Sequence, residues 1–213
     1  MPILLKNEIA PAGEIGVWQV SEPVQYFEER VELYPSEKIE TKILSARKRL
    51  EWYASRYLLH LMSGRLVRMA CIKDAYGKPH LKDSNYQISM SHSDDRVAVI
   101  ASPHIVGIDI QKIVGKIERI QNKFLNDEEL NALDPVHKIA MLHVYWGAKE
   151  SLYKAYGRKG LNFKQHILID PFVYNDKGMH FSGSVVFGDY HKSFDIFASE
   201  LDEYILVYAI TRS

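Results

Sequence analysis

Three residues at helical spacing carry the densest chemistry in this chain. Trp146, Glu150 and Lys154 recur every four residues within Trp146-Gly147-Ala148-Lys149-Glu150-Ser151-Leu152-Tyr153-Lys154, so a helix there aligns them on one face. A carboxylate and an ammonium one turn apart can be an ordinary ion pair, which stabilises a helix by about 0.2–0.5 kcal/mol. The same two groups can also hold a metal ion and a phosphate. A second candidate is Val106-Gly107-Ile108-Asp109-Ile110-Gln111. Strand alternation puts Asp109 and Gln111 on one face and Val106, Ile108 and Ile110 on the other. A carboxylate inside an apolar strand needs a partner, because an unpaired buried charge is costly. A metal ion is one such partner, and a backbone hydrogen bond at a strand end is another.

Three further groups lie upstream. Residues 37–68 hold eight Lys and Arg against three Glu. Lys42, Arg49 and Arg56 fall at heptad spacing and line one stripe of a helix. That stripe is either a solvated face or a phosphate grip, since Arg matches phosphate oxygens bidentately. Gly77-Lys78-Pro79-His80 reads as a turn, or as a place where a ligand approaches the backbone beside a cation. Ser91-His92-Ser93 is a polar strand end whose hydroxyls and imidazole can donate to a phosphate. A hydrolytic Ser–His pair is not expected there, because neighbours on a strand point to opposite faces.

The elements that must position these groups follow from the hydrophobic pattern. Residues 15–20 read as a strand. Ser36 is a plausible N-cap for a long helix to about Met62, with Ile39, Ile43, Ala46, Leu50, Tyr53, Tyr57 and Leu61 at helical spacing. Tyr86, Ile88 and Met90 alternate with polar residues and, through a turn at 91–95, pair with 96–101 as a hairpin. A strand runs from His104 to about Gln111. Asn126 caps the acidic start Asp127-Glu128-Glu129, and a longer helix runs from about Val136 to Tyr156, stopping at Gly157. Strand-like segments follow near 167–173, 179–187, 193–199 and 204–211. Helix-bearing segments joined to antiparallel strands indicate an α+β class.

Composition excludes several functions. The chain has 213 residues, 46% of them hydrophobic, enough for a real core and too apolar for disorder. Lys plus Arg equals Asp plus Glu at 27 each, so no overall charge draws it to nucleic acid or a membrane surface. No run is long enough to span a membrane, and the N-terminus lacks a signal-peptide pattern. Cys71, the single cysteine, rules out an intramolecular disulfide and fits a reducing, cytoplasmic setting. Its apolar neighbours favour a structural role over a nucleophilic one.

Taken in order, Arg56, Gly77-Lys78-Pro79, Ser91-His92-Ser93, Gly107-Ile108-Asp109 and Trp146-x-x-Lys149-Glu150-Ser151-x-x-Lys154 are more specific together than any one alone. This constellation resembles the 4′-phosphopantetheinyl transferases, in particular the single-chain surfactin-synthetase-activating type, and the resemblance covers about residues 38–165. It implies two similar α+β halves, 1–103 and 104–213, related by a pseudo-twofold with a cleft between them. The implied reaction moves the phosphopantetheine arm of coenzyme A to a serine of an apo acyl or peptidyl carrier protein. It releases 3′,5′-ADP and requires Mg²⁺. The resemblance assigns Asp109, Glu150 and Gln111 to the metal, and Glu150, Lys154 and Asp109 to catalysis. It assigns Arg56, Lys78, Pro79, Ser91, His92, Lys149 and Lys154 to coenzyme A. The carrier is expected near Phe124 and Leu125, two residues that read equally well as core, and a monomer suffices. Many members carry Glu two residues after the Asp, whereas this chain has Gln111, a weaker ligand for Mg²⁺. That departure keeps open a coenzyme A- or nucleotide-binding module without catalysis. A domain whose charged motifs are only salt bridges is the third reading.

Overall fold

Gly64 and Gly157 end the two longest helices in the left-handed region, with φ of 61° and 72°, where a Cβ is penalised. The computed structural model describes residues 3–212. The chain divides into two compact units, Met1–His104 and Ile105–Ser213, each pairing helices with an antiparallel sheet in an α+β arrangement.

The N-terminal unit contains β1 (Ile3–Glu8), β2 (Glu14–Gln19), α1 (Val24–Glu28), α2 (Pro35–Lys42), α3 (Ala46–Ser63), β3 (Cys71–Lys73), β4 (Pro79–Leu81), β5 (Gln87–Ser93) and β6 (Arg96–Ser102). Its sheet has the order β1-β2-β6-β5-β4-β3. Helix α3 packs on β2 and β6, burying Trp52, Tyr53, Leu58 and Met62 against Trp18, Ile88 and Val99. β5 runs on to Ser93, so the hairpin turn is only Asp94-Asp95. Asp94 takes a φ of 48°, which Asp tolerates better than most residues.

The long helix expected from Ser36 to Met62 is two helices. Pro35 occupies the first helical position after Tyr34, where its missing N–H costs nothing. Glu37 accepts a hydrogen bond from the Tyr34 N–H at 3.0 Å. The chain then breaks at 43–45, and Ser45 starts α3 afresh. Ile39 and Ile43 follow the apolar spacing but are 71% and 83% exposed, so no burial rewards a continuous helix.

The C-terminal unit contains β7 (Val106–Lys112), a 3-10 turn at Gly115–Ile120, α4 (Gln121–Phe124), α5 (Asp127–Asn131), α6 (Lys138–Tyr156), α7 (Phe163–His166), β8 (Ile167–Ile169), β9 (Met179–Phe187), β10 (Tyr190–Leu201) and β11 (Tyr204–Thr211). Its sheet order is β7-β11-β10-β9-β8. Asn126 caps α5 as expected, accepting from the Glu129 N–H at 2.9 Å while Glu129 accepts from the Asn126 N–H at 2.9 Å. In the N-terminal unit the chain runs from the β1–β2 hairpin through helices to β3 at the far edge and returns by β4, β5 and β6 to lie beside β2; in the C-terminal unit it runs from β7 through helices to β8 at the far edge and returns by β9, β10 and β11 to lie beside β7.

Helix α6 buries Met141, Tyr145, Ala148, Leu152 and Ala155, a stripe at i, i+3 and i+4 spacing. It lies on β7 and β11 at unusually short range. A Cβ on Gly107 would stand 1.8 Å from the Ser151 carbonyl oxygen, and one on Gly147 would stand 2.7 Å from Val207 Cγ2. Among the described residues no helix is long and apolar enough to cross a membrane. Gly107→Ala forces β7 from α6, because the obstacle is backbone. The expected cost is at least the upper part of the 1–3 kcal/mol range, about 3 kcal/mol, typical of overpacking. Urea unfolding of the variant measures it.

Candidate active site

The approach of β7 to α6 sets the site. Asp109 and Gln111 alternate onto the face of β7 that α6 covers, and Lys154 reaches Asp109 from the helix. The Lys154 Nζ donates to Asp109 Oδ1 at 2.8 Å and to the Ile108 carbonyl at 2.8 Å. Asp109 is mostly buried, at 7% exposure. Glu150, one turn before Lys154, is half-buried at the same face. Among the described residues no hydrogen bond or ion pair holds its carboxylate. Burial and the charge of Asp109 push the Glu150 carboxyl above its ordinary value, and Lys154 only partly offsets them.

Gln111 is held by α6 from the other side. Its Nε2 donates to Asp109 Oδ2 at 3.3 Å and to the His143 carbonyl at 3.0 Å, and its Oε1 lies 2.8 Å from His143 Nδ1. The oxygen expected to face a metal thus faces an imidazole. His143 is buried, and burial keeps it below its ordinary basicity against the pull of the Val114 backbone and Asp109. No local pattern marks His143, which sits in an apolar helical run.

Lys149 does not join this group. It is fully buried and turned into the interior of the unit. Its Nζ lies 2.8 Å from Glu129 Oε2 and donates to the Phe163 and Ile167 carbonyls at 2.8 and 2.7 Å. Three donors meet three acceptors, so its assignment to coenzyme A is corrected to a structural one. Burial lowers the Lys149 ammonium from its ordinary value, and Glu129 opposes that shift. Phe124 and Leu125 are likewise core, with the Phe124 ring edge-on to Trp146 at 5.1 Å.

In the N-terminal unit the expected contacts are more dispersed. His92 Nδ1 lies 3.3 Å from Glu51 Oε2, and Arg47 donates to the other oxygen of Glu51 at 3.0 Å and pairs with Asp94 at 3.6 Å. Arg47 and Glu51 stand at i, i+4 spacing, the mark of an ordinary helix pair, and no motif around them points to a site. Ser91 is buried, and alternation puts it on the other face of β5. Lys78 and Pro79 stand at the start of β4, where Asp74 accepts from the Tyr76 and Lys78 N–H groups at 2.9 and 3.0 Å. Burial lowers the Lys78 ammonium. Arg56 is 7% exposed, stacked 4.4 Å over Trp52, and bonded to Ser55 Oγ at 2.9 Å. It lines a cavity of about 200 Å³ with Glu14, His60 and Arg68. Arg49 pairs instead with Glu28 at 2.5 Å, so the expected basic stripe is not one surface.

Among the described residues no three His, Cys, Asp or Glu side chains cluster to hold a metal. Two carboxylates, Asp109 and Glu150, share the site. Their mutual repulsion and oxygen donors fit Mg²⁺, which takes one or two carboxylates and fills its shell with phosphate and water.

The match to a family model falls on the C-terminal unit. Residues 105–208 match the family model of the 4′-phosphopantetheinyl transferase superfamily. The class resemblance carried by the motifs is therefore shown for the part of the chain that holds Asp109, Glu150 and Lys154. A relative, the 4′-phosphopantetheinyl transferase gsp of Aneurinibacillus migulanus, is 30% identical over 106 residues, covering 48% of this chain and 44% of the relative. The match thus spans less than half the length of that relative.

A carboxyl raised by burial holds its proton above the pH at which the unfolded chain loses it. Stability is therefore lost as pH rises from the unfolded pKa through the folded one, and stays lost above it. In metal-free protein, Glu150→Gln is expected to melt above wild type at pH 8 and to match it below about pH 4. Thermal melts across that range test the sign.

Proposed function

We propose that this protein transfers the 4′-phosphopantetheine arm of coenzyme A to a serine hydroxyl of an apo acyl or peptidyl carrier protein, releasing 3′,5′-ADP. The observation that carries this reading is Glu150. It is a half-buried carboxylate, raised in pKa in the metal-free protein and without a hydrogen bond from any described residue, beside the Asp109–Lys154 pair in the segment that matches the transferase superfamily.

The chemistry follows from these groups. The serine oxygen attacks the β-phosphorus of coenzyme A, a new P–O bond forms, and the bond to the departing 3′,5′-ADP breaks. Glu150 accepts the serine proton, directly or through water. A carboxylate positioned within reach of the hydroxyl is a competent general base for this step. Asp109 and Glu150 would hold Mg²⁺, which when bound would draw off charge building on the pyrophosphate. Lys154 orients Asp109 and supplies positive charge to the phosphate. Lys78, Pro79 and His92, with Arg56 and Ser91 as the resemblance implies, would contact the adenine and 3′-phosphate end.

Incubation with coenzyme A, Mg²⁺ and an apo carrier protein, followed by mass measurement of the carrier, tests the proposal. A gain of one phosphopantetheine is the expected result. Coenzyme A binding without transfer would favour a binding module, and no binding would leave a domain stabilised by salt bridges. Glu150→Ala is expected to cut transfer by about 100-fold or more while its melting transition is retained. Wild-type turnover in that variant removes Glu150 from the role.

A further inference from the structure

We propose that His143 is a positioning residue of the site, whose Nδ1–H turns the Gln111 amide so that its nitrogen, and not its oxygen, faces Asp109. The inference deepens the proposed function and rests on it only for the consequences on the metal.

The orientation follows from one fixed donor. The Val114 backbone N–H can only donate, and it lies 3.0 Å from His143 Nε2. That nitrogen is therefore the acceptor, and a neutral ring carries its proton on Nδ1. The Val114 carbonyl, 3.2 Å from the same nitrogen, is the longer contact. If that carbonyl took a proton from a charged ring, Nδ1 would still donate. In either state Nδ1 requires an acceptor opposite, and Gln111 Oε1 stands there at 2.8 Å. The amide nitrogen then faces two groups that only accept, Asp109 Oδ2 at 3.3 Å and the His143 carbonyl at 3.0 Å. Every contact around the amide agrees with this sense, and the reverse would oppose donor to donor and acceptor to acceptor.

The helix is shaped for the clamp. Gly147, one turn beyond His143, would bring a Cβ to 3.1 Å from Gln111 Nε2, tighter than a comfortable contact. His143 and Gly147 thus enclose the amide on one side of α6. Asp109 is in consequence held at both oxygens, by Lys154 at Oδ1 and by Gln111 at Oδ2. Gln111 acts on a cation through Asp109 rather than as its ligand.

Imidazole ¹⁵N shifts in the wild-type protein test the clamp directly. A proton on His143 Nδ1 is expected, and a ring protonated on Nε2 alone overturns the proposal. This readout needs no transfer activity, so it stands apart from any failure of the proposed function. Mn²⁺ titration of protein carrying coenzyme A tests the consequence. His143→Leu and His143→Gln, which lack a donor at the Nδ1 position, are expected to weaken Mn²⁺ binding about tenfold. His143→Asn, whose amide nitrogen replaces Nδ1, is expected to stay within about threefold of wild type. The double variant with Gln111→Leu should be no weaker than Gln111→Leu alone. Equal behaviour of the Asn and Gln variants, or losses that multiply in the double variant, overturn the assignment. Because Asn and Gln are similar in polarity, their comparison remains decisive if the Leu variant folds poorly.

Discussion

The closeness of β7 to α6 is the constraint on which the site depends. A strand and a helix usually stand far enough apart for side chains to interdigitate. Here Gly107 lets the strand backbone reach the Ser151 carbonyl, and Gly147 lets the helix settle on Val207. At that range Lys154 can bond at once to a main-chain carbonyl of β7 and to Asp109 on the same strand. A Cβ at position 107 would separate the two elements and break both bonds. The glycine in Gly107-Ile108-Asp109 therefore belongs to the site as much as the carboxylate does, although it touches no ligand.

Closeness alone would leave α6 free to rotate about its axis. Lys149 prevents this. Its ammonium is tied inside the unit to Glu129 and to the carbonyls of Phe163 and Ile167. Glu129 in turn accepts from the backbone N–H groups of Asn126 and Ile169. A buried charge with every donor satisfied fixes one angular setting of the helix, because any rotation would strand it in an apolar core. With Lys149 turned inward, Glu150 lies roughly 100° around the helix and comes to the edge that Asp109 faces.

Asp109, Glu150 and Lys154 could be read from the sequence because their placement depends on two local periods, 2 for the strand and 3.6 for the helix. The α+β class was legible for the same reason, as was the Asn126 cap. Lys149 was not, since its acceptors come from positions 129, 163 and 167, and no local pattern brings them together. Gln111 was legible as a member of the site but not in its orientation, which a histidine 32 residues away controls. The break between α2 and α3 was hidden by apolar spacing that continues through Ile39 and Ile43, although neither is buried. Periodicity shows which face a residue occupies and not whether anything covers that face.

Two glutamates, Glu150 on α6 and Glu129 on α5, separate scaffold from chemistry. Glu129 is 2% exposed and accepts from a lysine and two backbone amides, so its charge is wholly compensated. Glu150 is half-buried, stands near a second carboxylate, and receives no hydrogen bond from any described residue. Folding alone would favour an apolar or neutral residue at position 150, because its charge opposes that of Asp109 and loses part of its hydration. Such an arrangement persists where a cation or a reacting group supplies the missing partner. The pairing of Glu150 with Lys154 suggested by their spacing is therefore the lesser interaction. Lys154 turns to Asp109, and Glu150 is left basic and open.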